Sequence, residues 1–144
     1  MLRRWMAWVA GLWAGAVLTI GSVAAPSAFA VLERAQAGRY VARIFAIEAH
    51  ASLALAVVLI LLARRCAKQQ AGSHFSLELG LALMALFCTV AGYFALQPMM
   101  EAARAGQGAW SFAALHGASL ALFVLKGFAL LALAWRATAV AARP

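Results

Sequence analysis

The sequence predicts an all-α integral membrane protein, a four-helix bundle with both termini in the cytoplasm. Of its 144 residues, 67% are apolar and only 11% are charged, whereas soluble domains carry roughly 25% charged residues. The apolar residues fall into four long runs separated by short polar and basic segments. Each run is long enough to cross a membrane as a helix, so residues 1–144 are expected to form a single transmembrane domain.

The first span is predicted at about residues 5–25, a run without charged residues. After this run, the sequence Ala28-Phe29-Ala30 resembles a signal-peptidase cleavage site, so the run could be a cleaved leader. Its length exceeds the roughly 7–15 residues typical of a leader's apolar segment. In addition, Gly11 and Gly15 form a small-residue face suited to helix packing. We therefore expect the run to be retained, with an extracytoplasmic turn after it.

The remaining elements follow from the alternation of apolar and polar segments. Pro26 and Pro98 are expected to end the first and third spans, because proline cannot continue the helical hydrogen bonds. The predicted elements after the first span are an interfacial helix at about 29–41, a span at about 44–63, a polar turn at 69–73, and spans at about 75–97 and 110–135.

The orientation follows from the distribution of Lys and Arg, which are enriched in cytoplasmic loops. The side of the membrane that carries the termini collects seven of them: Arg3, Arg4, Arg64, Arg65, Lys68, Arg136 and Arg143. The other side collects four: Arg34, Arg39, Arg43 and Arg104. This bias predicts cytoplasmic termini, and the high Ala and Arg content points to a bacterial cytoplasmic (inner) membrane.

The formal net charge of +8 does not indicate a surface that binds nucleic acid. Such a surface needs basic residues gathered on one solvated face, whereas here they lie almost entirely between the apolar runs. The expected partners are membrane lipids and, through helix packing, a second copy of the chain or another membrane protein.

Three segments contain motifs that occur together in a known protein family. They are AAPSAFAVLERAQAGRYVARIF after the first span, LQPMMEAARAGQG after the third and FAALHGASLALF at the start of the fourth. They resemble the transmembrane protein 205-like family over nearly the whole chain. The resemblance implies a four-helix membrane bundle without an agreed reaction. The chain departs from the family pattern at Phe123, where many relatives have Asn, so no role of that Asn is carried over.

Polar residues within the spans are the candidate functional cluster, because ionisable groups in a bilayer need a partner. They are Glu48, Ser52, His116, Ser119 and Lys126. Glu48 and Ser52 share one helix face, and His116, Ser119 and Lys126 share another. Counting from Arg43 and Trp110, we place Glu48 and His116 at similar depths, ~7–9 Å below the outer surface. The sequence therefore predicts that Glu48 and His116 touch, directly or through water.

A packing interpretation stays open beside this one. His116 would then bond a backbone carbonyl next to Gly117, a third glycine expected to serve helix packing, and Glu48 would pair with Arg39 or Arg43. Lys126 has no acidic residue at its predicted depth, so it is expected either to extend its ammonium group to the cytoplasmic headgroups or to mark a polar pocket.

A haem or metal site is a further alternative, because His50, His116, Met99 and Met100 all fall in the outer half of the predicted spans. Axial haem ligation by two histidines needs rings that face each other, whereas His50 projects away from the Glu48 face. No Cys-x-x-Cys or His-rich spacing is present, so no cofactor is expected.

The sequence contains no paired carboxylates, catalytic triad or phosphate-binding loop, so we do not expect an enzyme. The predicted function is that of an accessory or stress-tolerance component acting through helix packing. The alternative is small-solute, ion or proton permeation, or haem or metal binding, through the polar cluster.

Overall fold

The structure is a computed structural model that describes residues 1–69 and 76–141. Their helices are α1 (Leu2–Thr19), α2 (Ala25–Val31), α3 (Arg34–Gln69), α4 (Leu77–Thr89), α5 (Leu96–Arg104) and α6 (Phe112–Ala141). Two π-helical segments, Ile20–Ala24 and Val90–Ala95, join α1 to α2 and α4 to α5. The described residues therefore contain four helical rods long and apolar enough to cross a membrane, which confirms the predicted number of spans. Apart from Gln69, the predicted turn at 69–73 lies outside the described residues, as does Arg143.

The first and third rods continue through their prolines. Pro26 lies at the start of α2 and Pro98 lies within α5. A proline lacks the N–H group and displaces the carbonyl four residues earlier, and the wider π-helical turn before each proline accommodates this change. The prediction that the two prolines end their spans is therefore wrong, because the rods run on to Val31 and Arg104.

The connection between the first two rods is short. Leu32 is extended, with φ −110° and ψ 154°, and α3 begins at Arg34. At 36 residues, α3 is ~54 Å long, which exceeds the ~30 Å hydrocarbon layer. The predicted interfacial helix at about 29–41 is therefore not a separate element: its first residues end α2, and its last form the start of α3.

Local hydrogen bonds mark where α4 and α6 begin. The hydroxyl groups of Ser76 and Ser111 each accept a hydrogen bond, at 3.2 Å, from the backbone N–H three residues further on, as N-cap residues do. Gly106 and Gly108 have φ of 73° and 98°. These left-handed conformations suit glycine and let the chain turn between α5 and α6.

The four rods form a square in cross-section. The helix α1 packs against both α3 and α6, and α4 packs against the same two helices. The helices α3 and α6 therefore face each other along one diagonal, and α1 and α4 along the other. The side on which α1 and α4 begin and α3 and α6 end is called the N-terminal side, and the opposite side is called the far side.

The apolar core fills the half of the bundle next to the N-terminal side. Its largest members are at most 2% exposed: Met6, Trp13, Leu59, Leu130 and Leu133. Buried alanines of all four rods lie between them, and such small residues let helix backbones approach closely. Neither α2 nor α5 contributes to this cluster, so the tightest packing of the described residues is confined to one half of the bundle.

Candidate functional site

A buried ion pair joins the diagonal helices α3 and α6 at the centre of the bundle. The Lys126 Nζ donates to both carboxylate oxygens of Glu48, at 2.8 and 2.9 Å, and the two side chains are only 4% and 6% exposed. Each residue lies fourteen positions after the first residue of its helix, Arg34 or Phe112, which is ~21 Å along the axis. The two residues meet because they lie at the same depth on facing helices.

Two further side chains complete the hydrogen bonding of the Glu48 carboxylate. The Ser52 Oγ donates to Glu48 Oε1 at 2.6 Å. The indole Nε1 of Trp13 donates to Ser52 Oγ at 3.0 Å and lies 3.5 Å from Glu48 Oε1. Ser52 and Trp13 are themselves buried. The network thus connects α1, α3 and α6, and each of its donor atoms has at least one acceptor inside the bundle, as a bilayer requires.

Aromatic side chains line the ion pair. The ring centroid of Phe123 lies 5.0 Å from Lys126 Nζ, within the range of a cation–π contact. The rings of Phe45 and Phe123 pack in a T-shaped arrangement with their centroids 5.1 Å apart. In such surroundings the two opposite charges stabilise each other, whereas either one alone would be buried at a cost of several kcal/mol.

A second ion pair lies near the N-terminal side. Arg136 Nη2 of α6 is 3.2 Å from Glu78 Oε1 of α4. The Glu78 side chain is 11% exposed, but that of Arg136 is 43% exposed. This pair therefore joins two neighbouring helices at the edge of the bundle.

Comparison with known proteins places the chain in a family. Residues 8–109 match a family described as a domain of unknown function, DUF4149, which is more than half of the chain. The chain belongs to the DUF4149 family. The matched region contains Trp13, Glu48 and Ser52 and stops before Lys126. No curated protein and no solved structure matches the chain.

The site of this DUF4149 protein brings together three of the five predicted residues, Glu48, Ser52 and Lys126. His116 is exposed, its ring stacks on Phe112 with the centroids 5.6 Å apart, and it lies ten positions, ~15 Å, from Lys126 along α6. The predicted contact between Glu48 and His116 is therefore wrong. Glu48 lies deeper than predicted because α3 begins at Arg34, nine residues before Arg43.

Lys126 also differs from its prediction. It does not extend its ammonium group to the membrane surface, because that group is held by Glu48 and the residue is 3% exposed. The alternative in which Glu48 pairs with Arg39 or Arg43 is wrong as well. Both corrections follow from the shared depth of Glu48 and Lys126.

Ser119, the fifth predicted residue, serves another contact of the DUF4149 bundle. Its Oγ donates to the backbone oxygen of Gly92 at 2.9 Å, which joins α6 to the π-helical segment Val90–Ala95. A Cβ atom at Gly92 would lie 3.2 Å from the Cβ of Leu122. The absence of a side chain at Gly92 thus permits the close approach of the two helices.

The glycines predicted to serve helix packing have a different environment. A Cβ atom at Gly11, Gly15 or Gly117 would have no neighbouring heavy atom within 4 Å. These three positions therefore mediate no close helix contact within the described part of the chain. A close approach occurs instead at Gly21, where a Cβ atom would lie 2.8 Å from Cε1 of Phe123.

The candidate haem or metal ligands are dispersed. His50 projects away from the Glu48 face, as predicted: it is exposed, and its Nδ1 lies 2.7 Å from the backbone oxygen of Ala46. Met99 is 41% exposed, whereas Met100 is buried. Within residues 1–69 and 76–141, no three or more His, Cys, Asp or Glu side chains are grouped so that they could hold a metal ion.

Trp13 is the member of the network that is absent from the predicted cluster. A tryptophan usually lies at a membrane interface, whereas Trp13 falls well inside the first apolar run. An indole N–H within the hydrocarbon needs an acceptor. This position was therefore a usable sign that a polar group on another helix lies opposite Trp13.

Proposed function

We propose that this DUF4149 protein is a non-enzymatic accessory component of a membrane that acts through contacts of its helices with other membrane components. The Glu48–Lys126 pair carries this proposal. It joins the two helices of one diagonal, its hydrogen-bonding groups have partners within the bundle, and aromatic rings line it. Such a pair suits the role of fixing the arrangement of four helices better than that of binding a substrate.

The apolar core supports this role over transport by a single chain. The side chains of Met6, Leu59, Leu130 and Leu133 fill the half of the bundle next to the N-terminal side, and each is fully buried. A charged solute that reached Lys126 from the far side would still have to cross this core. Burial of a charge in such surroundings costs several kcal/mol.

The proposal also covers the orientation of the protein, the membrane that contains it and its partners. The excess of Lys and Arg on the N-terminal side supports cytoplasmic termini in the inner membrane of a bacterium. A contribution to stress tolerance is a further part of this proposal, and the growth test below examines it. The proposed partners are membrane lipids, a second copy of the chain or another membrane protein, and not nucleic acid.

The test is a variant that keeps the shape of the central pair without its charges, Glu48→Gln combined with Lys126→Met. In a host strain from which the gene is deleted, we expect impaired growth under membrane stress, such as ethanol or detergent. Both the wild-type protein and the double variant should restore growth, because the proposed role depends on the folded bundle and not on ionisation.

The matched control removes an exposed carboxylate and cation from the far side, Glu101→Gln with Arg104→Met. It should also restore growth. The proposal fails if the charge-free central variant is present at the wild-type level and melts at the wild-type temperature but does not restore growth.

Proton or cation handling is the second candidate function, and the same pair favours it. An ionisable pair in the middle of a bilayer is a common sign of proton or ion movement. Because the core closes one half of the single bundle, this function would require self-association. In liposomes that contain the purified protein and a pH-sensitive dye, a proton flux lost in Glu48→Gln with the fold intact would favour it. A flux no higher than that of protein-free liposomes would favour the accessory role.

A further inference from the structure

A groove runs along the outer surface of the first rod, next to the end of α6. It has a volume of about 990 Å³. Its lining includes two rows of α1 residues four positions apart, namely Ala7, Gly11 and Gly15, and Arg4, Trp8 and Leu12. Thr138 of α6 lines it as well. The groove is distinct from the central network, and its role does not depend on that of the network.

The shape of the groove follows from its two rows of side chains. Trp8 and Leu12 are 68% and 69% exposed, so they project from α1 as a ridge. In the neighbouring row, Gly11 and Gly15 have no side chain, and the space that a Cβ atom would take has no heavy atom within 4 Å. The result is a groove with an apolar floor, open to the hydrocarbon of the membrane.

The groove has a charged end and an apolar end. From Arg4 to Gly15 it follows eleven positions of α1, ~16 Å, which is about the thickness of one hydrocarbon leaflet. Arg4 lies near the start of the rod and has no carboxylate partner among the described residues. Trp8, one turn further in, has the ring type that favours the boundary between headgroups and acyl chains.

A second copy of the chain fits this groove less well than a lipid does. Two copies inserted in the same direction would place their α1 helices in parallel, so that Arg4 of one copy would lie near Arg4 of the other. Like charges at such a contact repel each other. The same arginine is complementary to a phosphate, which it can bind through two parallel N–H donors.

We infer that this groove binds an anionic phospholipid in the leaflet on the N-terminal side. One acyl chain lies along Ala7, Gly11 and Gly15, and the phosphate pairs with Arg4. The excess of basic residues on this side of the bundle, among them Arg3, Arg64 and Arg65, adds a general attraction for anionic headgroups.

The test is native mass spectrometry of the purified full chain in detergent, titrated with phosphatidylglycerol or with phosphatidylcholine of the same acyl chains. The wild-type protein should bind one phosphatidylglycerol molecule at least about fivefold more tightly than phosphatidylcholine, since each basic residue near an anionic headgroup contributes about that factor. Arg4→Gln should weaken phosphatidylglycerol binding about fivefold, the effect of one basic residue near an anionic surface. It should weaken phosphatidylcholine binding less, because the choline cation already offsets the charge of that lipid's phosphate. Gly11→Leu with Gly15→Leu should weaken both lipids, because the new side chains fill the groove.

Matched controls exist for both changes. Arg39→Gln removes an exposed arginine from the far half, and Gly117→Leu fills an equally open glycine position on α6. Neither should alter lipid binding, and all variants should keep the helix content of the wild-type protein by circular dichroism.

The inference is overturned if the double leucine variant binds phosphatidylglycerol as the wild-type protein does, or if both lipids bind the wild-type protein equally. It is also overturned if chemical cross-linking in liposomes reveals a dimer that the double leucine variant loses, since the groove would then be a contact between copies. These outcomes are independent of the growth test of the central pair.

Discussion

The two ion pairs among the described residues have the same chemistry and different surroundings. In each, a glutamate meets a cation of α6. Glu48 and Lys126 lie at the centre, with side chains 4–6% exposed and their charged groups 2.8 Å apart. Ser52 donates a hydrogen bond to the Glu48 carboxylate, and the Trp13 indole lies next to it. Glu78 and Arg136 lie at the edge, 3.2 Å apart, with the Arg136 side chain 43% exposed.

The difference teaches that depth, rather than residue type, decides what an ion pair does in this bundle. At the edge, water and lipid headgroups can solvate the half-exposed Arg136, so this pair should be worth less. At the centre no such replacement exists, so each charge is tolerable only beside the other. Loss of one partner of the central pair should therefore destabilise the fold strongly, whereas loss of Arg136 at the edge should cost less.

The largest expected effect is that of Lys126→Met. It leaves the Glu48 carboxylate buried without its cation, which should lower the free energy of unfolding by about 3–5 kcal/mol. Denaturant unfolding of the purified protein in detergent micelles, followed by circular dichroism, measures this. Lys68→Met, at an exposed lysine, is the control and should change little. A Lys126→Met protein within about 1 kcal/mol of the wild type would show that the centre tolerates a lone charge.

The second expected effect is that a further substitution recovers the stability lost in Lys126→Met. Addition of Glu48→Gln to Lys126→Met removes the remaining buried charge and should restore most of the lost free energy, because an uncharged pair of similar volume is often neutral in such positions. The two single variants and the double variant form a complete cycle that yields the coupling energy. If the two losses simply add, the residues do not act as a pair.

A smaller effect is expected at Ser52. Ser52→Ala removes the hydroxyl group that donates to Glu48 and accepts from Trp13, so about 1–2 kcal/mol should be lost. Ser22→Ala, at an exposed serine that bonds only its own helix, is the matched control. Equal melting temperatures of the two variants would indicate that the network adds nothing to the ion pair.

The smallest effect is expected at the edge. Arg136→Met should cost at most about 1 kcal/mol, and the loss should shrink in 0.5 M salt, because salt screens exposed charges. The Lys126→Met loss should change little with salt, since buried pairs are screened much less. An Arg136→Met loss as large as that of Lys126→Met would remove the distinction between centre and edge.

The sequence predicted much of the fold and part of the site. Apolar run length located the four spans, and helical periodicity placed Glu48 and Ser52 on one face and His50 on another. The partner of Glu48 was not predictable in this way. Its depth was counted from Arg43, whereas α3 begins at Arg34, and an error of nine residues exchanges one α6 partner for another.

The prolines illustrate a second limit. A local rule expects proline to end a helix, and at Pro26 and Pro98 the rule fails because a π-helical turn before each residue absorbs the steric conflict. The sequence before each proline does not predict the π-helical turn, since the same residues could equally well end the helix. Packing of α6 against Gly21 and Gly92 in the two π-helical segments helps to fix the continuous form.

The sequence by itself determined that four apolar helices cross a membrane and that the polar groups within them need partners, because both follow from the properties of single segments in hydrocarbon. Only the tertiary structure decided that Lys126 and Trp13 are among the partners of Glu48 and Ser52. A contact across the diagonal depends on the relative depth and rotation of several helices. These are set by the packing of residues far apart in the chain, and no single segment encodes them.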